Sequence, residues 1–180
     1  EWKARSEEHD KRFREHFPES DDLLAIVLRG HLLVEECLDT LNCHCFHNPE
    51  FYTKARLSFA KKVLIAQAQV LLPHRDPSVF FGVIEKLNGL RNNLAHNLGS
   101  ELLQNKVQAF LDKAERLMPK HDDPDIAEEI REYYTPEYIG GMTTEKRVSR
   151  EICFMLGQLS VMDIVVGFME SCRDYGPPKD

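Results

Sequence analysis

Apolar residues recur along this chain at spacings of three and four, and no segment sustains the period-two alternation of a half-buried strand. Ser20-Asp21-Asp22 precedes a predicted helix of about 22 residues, whose stripe is Leu24, Val27, His31, Val34, Leu38 and Leu41. Asn48-Pro49-Glu50 supplies an N-cap, a first-turn proline and a first-turn acid, which predicts one helix from there to about Leu72, just before Pro73. Asp76-Pro77 repeats the device. The helix it opens carries Phe80, Val83, Ile84, Leu87, Leu90 and Leu94 and is expected to stop near Gly99, a left-handed C-cap. Ser100 caps the next helix, which runs to about Met118 before Pro119. Thr143-Thr144-Glu145 opens a long final helix. Its apolar face is Val148, Ile152, Met155, Leu156, Leu159, Met162, Ile164, Val165, Phe168 and Met169.

An all-α bundle of roughly four to six helices follows. Residues 1–19 read as a charged, loosely packed helical extension anchored by Trp2, Phe13 and Phe17, and 20–118 as the bundle core. Residues 119–142 hold His121-Asp122-Asp123-Pro124, a short acidic helix, Thr135-Pro136 and Gly140-Gly141, which is the composition of a connector. The helix over 143–174 then packs on the bundle or on a dimer partner.

Composition narrows the function. With 180 residues and 42% hydrophobic content, the chain can bury a core as one domain. A net charge of -7 argues against a general nucleic-acid coat, which needs a basic surface to displace counterions. The charge is uneven, however. Between Asn48 and Ser100 seven basic residues stand against three acidic ones, so a basic island able to receive phosphate sits in an otherwise acidic chain. The five cysteines are odd in number and lie mostly in apolar helical patterns, which fits a reducing cytoplasm. No signal peptide is visible, and a first residue other than Met suggests a trimmed chain or a piece of a longer one. The apolar run over 152–169 is interrupted by Gln158 and Asp163, so no membrane span is expected.

The candidate chemistry lies in Leu87-Asn88-Gly89-Leu90-Arg91-Asn92-Asn93-Leu94-Ala95-His96-Asn97, where a cation, an amide and an imidazole come together. Asn92 and His96, four apart, share a helix face, whereas Arg91 and His96 lie about 140° apart round an ideal axis. A long guanidinium near a loosening helix end can swing back toward the imidazole. Such a set supports phosphodiester cleavage without metal: His96 as general base or acid, Arg91 clamping phosphate oxygens, Asn92 orienting the imidazole or the ribose. The competing reading is that Arg91 and His96 satisfy carbonyls at a helix C-terminus, where cations are favoured anyway.

This segment resembles the signature of the HEPN superfamily, an arginine, a polar residue, and a histidine after a few more positions at the end of a bundle helix. Arg29-Gly30-His31-Leu32-Leu33-Val34-Glu35-Glu36 and Leu57-Ser58-Phe59-Ala60-Lys61-Lys62 support the likeness, which covers about residues 20 to 118 and is also similar to the mannitol operon repressor branch of that fold. The resemblance implies four core helices plus the long C-terminal one. It further implies a homodimer in which two copies of Arg91, Asn92 and His96 face one another across a cleft, and metal-independent RNA cleavage through the ribose 2′-hydroxyl. Such a protein acts as a toxin or defence effector, with a cognate antitoxin as partner and no cofactor. The same family implies an alternative, a non-catalytic adaptor or transcriptional regulator that binds a protein partner or a nucleotide.

Two further sets complete the candidates. Glu35 falls with His31 on the edge of the apolar face of the first long helix, and a partly buried carboxylate needs a cation. His31, one turn away, is the structural candidate; Arg91, which would draw Glu35 into the catalytic set, is the functional one. Cys43-His44-Cys45-Phe46-His47 carries zinc-ligand residue types but lacks the second half of any finger spacing, so no metal is assigned to it.

Overall fold

The computed structural model describes residues 22–69, 77–96, 101–117 and 140–174, together with Lys11 and Glu15. Every regular element among them is helical. The chain runs through α1 (Leu23–Cys45), α2 (Pro49–Lys54), α3 (Phe59–Gln69), α4 (Pro77–His96), α5 (Glu101–Ala114, continued by a 3-10 turn over Glu115–Leu117) and α6 (Thr144–Asp174). Lys11 and Glu15 are helical and exposed and pair across one turn at 3.9 Å. The rest of the 1–19 extension, the proposed caps Gly99 and Ser100, and the 119–142 connector as far as residue 139 lie outside the described residues.

Local chemistry explains where the helices begin. Asp22 caps α1, its Oδ1 accepting from the Leu24 N–H at 2.9 Å, and Pro77 opens α4 without leaving an orphaned N–H. Thr143 precedes α6, its Oγ1 accepting weakly from Lys146 N at 3.4 Å.

The helix expected from Asn48 to Leu72 is in fact two. Asn48 makes no side-chain cap bond, α2 ends after six residues, and Arg56 takes a left-handed backbone with φ 47°. Packing forces the break. The buried Asn42 side chain donates from Nδ2 both to the Tyr52 hydroxyl and to the Lys62 carbonyl, each at 3.0 Å. Ten residues of continuous helix advance about 15 Å, so one straight helix cannot bring both groups to one amide.

α1 is the central element. It packs against α2, α3, α4 and, most extensively, α6, while α4 lies on α3 and α5, and α5 also meets α6. A single core results, in which Val27, Val34, Leu38 and Leu41 meet Phe80, Ile84, Leu87 and Leu90 of α4 and Val148, Ile152, Met155 and Leu159 of α6. The α6 face from Val148 to Met162 is therefore buried within the chain's own bundle and does not call for a second copy to cover it. The side chains of Ile164, Val165, Phe168 and Met169 lie outside the described residues. One charge sits inside this layer. Glu151 is buried and held by the neighbouring Arg150 guanidinium, while Arg147 reaches Glu115 at 2.9 Å. Burial raises the Glu151 carboxyl above its ordinary range, against the opposing pull of Arg150. No helix of the described residues is long and apolar enough to cross a membrane.

Candidate functional site

Asn88, Arg91 and Asn92 stand three and four residues apart on α4, so they share one face of that helix. Hydrophobic positions on either side (Leu87, Leu90, Leu94) are buried in the core, which fixes the rotation of the helix and leaves this polar face at the bundle's rim. Arg91 is half-buried, and its Nη1 donates to Asn92 Oδ1 at 3.0 Å; Asn92 is otherwise exposed. Among the described residues no carboxylate pairs with Arg91. His96 is the last residue of α4, and its side chain lies outside the described residues. The structure thus joins two of the sequence-predicted residues, Arg91 and Asn92, and places His96 on the same helix end by its backbone. Asn93 is buried, and its Oδ1 has no hydrogen-bond partner among the described residues.

α1 contributes His31. The imidazole is buried, stacks on Phe59 of α3 at 4.2 Å between ring centroids, and hydrogen-bonds through Nε2 to Asn88 Oδ1 at 3.1 Å. With a carbonyl oxygen as acceptor, Nε2 carries the proton. Burial pushes the His31 pKa below 6.5; the Asn88 bond and Glu35 oppose that shift, and the Arg91 and Lys62 charges add to it. A neutral imidazole therefore lies in the field of the Arg91 guanidinium.

Glu35 has a different partner from either one expected. Its Oε1 accepts from Lys62 Nζ at 2.8 Å, and the same ammonium donates to Asp39 Oδ2 at 2.7 Å. The reason is geometric: α3 lies directly on α1, and Lys62 projects between two carboxylates one turn apart. Burial works against the charged ammonium, but the hydrogen bonds and charges of Asp39 and Glu35 outweigh it and raise the Lys62 pKa. Tyr52 extends the network, donating to Asp39 Oδ1 at 2.8 Å. Its phenol is pushed well up, first by burial and then by Asp39. Glu35 is thus drawn away from the α4 motif and into the lock between α1, α2 and α3.

No family model matches the chain, and neither a curated protein nor a solved structure resembles it significantly.

Sequence reasoning missed Asn88 and Lys62. Asn88 carried a legible signal, its spacing of three from Arg91 and four from Asn92. Lys62 carried none, because its role depends on which helices meet. Among the described residues no three His, Cys, Asp or Glu side chains come together as a metal site, and Cys43 Sγ lies 4.0 Å from Thr53 Oγ1 instead. Cys37, Cys43, Cys45 and Cys153 are half-buried and form no disulfide among the described residues.

Proposed function

We propose that the protein is a metal-independent endoribonuclease of HEPN type, cytoplasmic, acting as a toxin or defence effector, with its active site composed between two copies of the chain. The observation that carries this reading is the uncommitted guanidinium: Lys62 engages both Glu35 and Asp39, and Arg91 has only the amide of Asn92 as a hydrogen-bond partner among the described residues. An arginine whose Nε and Nη2 have no partner among the described residues, beside a basic segment, is suited to the non-bridging oxygens of a phosphodiester. In this mechanism His96 withdraws the proton of a ribose 2′-hydroxyl, and that oxygen attacks the adjacent phosphorus. The 5′-oxygen leaves and takes up a proton, giving a 2′,3′-cyclic phosphate and a 5′-hydroxyl. Arg91 holds the charge that builds on the phosphoryl oxygens, and Asn92 orients the guanidinium. No cofactor enters.

RNA cleavage in the presence of a chelator tests it. His96→Ala and Arg91→Ala are expected to lower the rate at least about a hundredfold, the range of a lost general base or charge clamp. Equal rates in the wild type and both variants would remove the motif from catalysis. The net charge of -7 favours a second reading, a non-catalytic adaptor or transcriptional regulator in which the same face binds a protein partner or a nucleotide. That reading predicts a nucleotide-dependent thermal shift, lost in Arg91→Ala, without any cleavage.

A further inference from the structure

Between the end of α1 and the first turn of α3 the chain exposes an unusual run of side chains. Phe51 is 65% exposed and Phe46 38%, and Lys54, Arg56 and Lys61 are all exposed. Among the described residues no carboxylate pairs with these three cations, and Glu50 is the one acid between Phe46 and Lys61. The display is anchored to α1. Tyr52 is tied to Asp39 and Asn42 of α1, which leaves the opposite face of α2, with Phe51 and Lys54 three residues apart, directed to solvent. Lys54 Nζ stands 5.4 Å from the centre of the Phe51 ring, and Phe46 leans on Tyr52 at 5.6 Å.

The run also leads somewhere. Phe59, two residues before Lys61, stacks on His31, and His31 bonds Asn88, one turn before Arg91. Two exposed aromatic rings followed by three exposed cations that no described carboxylate pairs fit one occupant best. Unpaired bases stack on exposed rings while lysine and arginine follow the phosphates, a combination that serves single strands because duplex bases are hidden. A protein interface would be depleted of lysine at its centre.

We propose that Phe46, Phe51, Lys54, Arg56 and Lys61 form a docking strip for the single-stranded flank of an RNA whose reactive linkage lies at Arg91. The choice of RNA, and of Arg91 as the strip's end, rests on the ribonuclease reading. Binding can nonetheless be measured apart from cleavage. A fluorescent single-stranded RNA of about twelve nucleotides is titrated with full-length His96→Ala by anisotropy, in chelator, across a series of salt concentrations. Phe51→Ala is expected to weaken binding about fivefold or more, while Phe51→Trp preserves it. Replacing Lys54, Arg56 and Lys61 together by Gln should lower the slope of log affinity against log salt by about 2, near 0.7 for each lost phosphate contact. Wild-type affinity and slope in these variants would overturn the proposal, as would failure of the parent to bind at low salt. It also fails if Phe51→Ala alters only self-association in light scattering, which would make the strip a protein interface. If strip-dependent binding persists but the wild type cuts no RNA, the surface stands and the nuclease reading alone falls.

Discussion

At the scale of single residues, His31 and Arg91 show how burial assigns roles to groups of similar polarity. His31 is 4% exposed, and burial disfavours its charged form; Arg91, one helix away, is half-buried at the rim. The sign of the consequence follows from linkage. The unfolded chain takes up a proton at His31 near 6.5, whereas the folded chain, with its pKa lowered, resists protonation. The contribution is complete above 6.5 and is lost as pH falls through the folded value. Glu35, Lys62 and Arg91 are the charged groups that face the ring, and of these only Glu35 favours the imidazolium. NMR titration should place the His31 midpoint below 6.5, and His31→Gln should flatten the acid limb of stability measured by urea unfolding. A midpoint at or above 6.5 would contradict the buried neutral ring. Gly89 offers a second test. A Cβ there meets nothing within 4 Å, so Gly89→Ala should raise stability by about 0.5–1 kcal/mol through lower backbone entropy in the unfolded chain. A fall in the thermal midpoint would show that α4 needs the glycine.

At the scale of elements, the polar lock on α1 decides how α2 and α3 lie. Glu35, Asp39 and Asn42 recur at four and three residues, and each meets a group from α2 or α3. Lys62→Met removes one ammonium and leaves two carboxylates close together. Because Glu35 and Asp39 are 30% and 40% exposed, solvent screens part of that repulsion, and the expected loss is about 1.5–3 kcal/mol in urea unfolding. An unchanged midpoint would reduce the triad to decoration. Asn42→Ala removes the donor to the Tyr52 hydroxyl and to the Lys62 carbonyl and leaves Tyr52 held by Asp39 alone. Hydrogen exchange should then quicken in α2 and the first turn of α3 while α4 keeps its protection.

At the scale of the whole molecule, α6 is a structural member of the bundle. Met155 and Ile152 are fully buried against the chain's own core, so Met155→Ala should cost about 2–5 kcal/mol of stability, seen in the chemical unfolding midpoint. A composite active site nonetheless requires two copies. Light scattering at micromolar concentration is expected to give twice 20.9 kDa, and a purely monomeric species would count against that site. Since the α6 face that carries Val148, Ile152, Met155, Leu159 and Met162 is already covered, the proposed contact would use other faces.

What could be read from the chain itself was local. Asp22, Pro77 and Thr143 announce helices because capping acts within one turn, and the buried stripes of α1, α4 and α6 follow from spacing alone. That Arg91 and Asn92 belong to one stretch of α4 was legible for the same reason, whereas the bond between them was not, since adjacent residues lie about 100° apart round the axis and Asn92 was expected to serve His96. Tertiary structure alone decided the rest. Glu35 and Lys62 stand 27 residues apart, and Asn42 draws Tyr52 and Lys62 onto one amide, so both the partner of Glu35 and the break before α3 depend on which helices lie side by side. Periodicity tells a helix which face to bury, and only packing tells it against what.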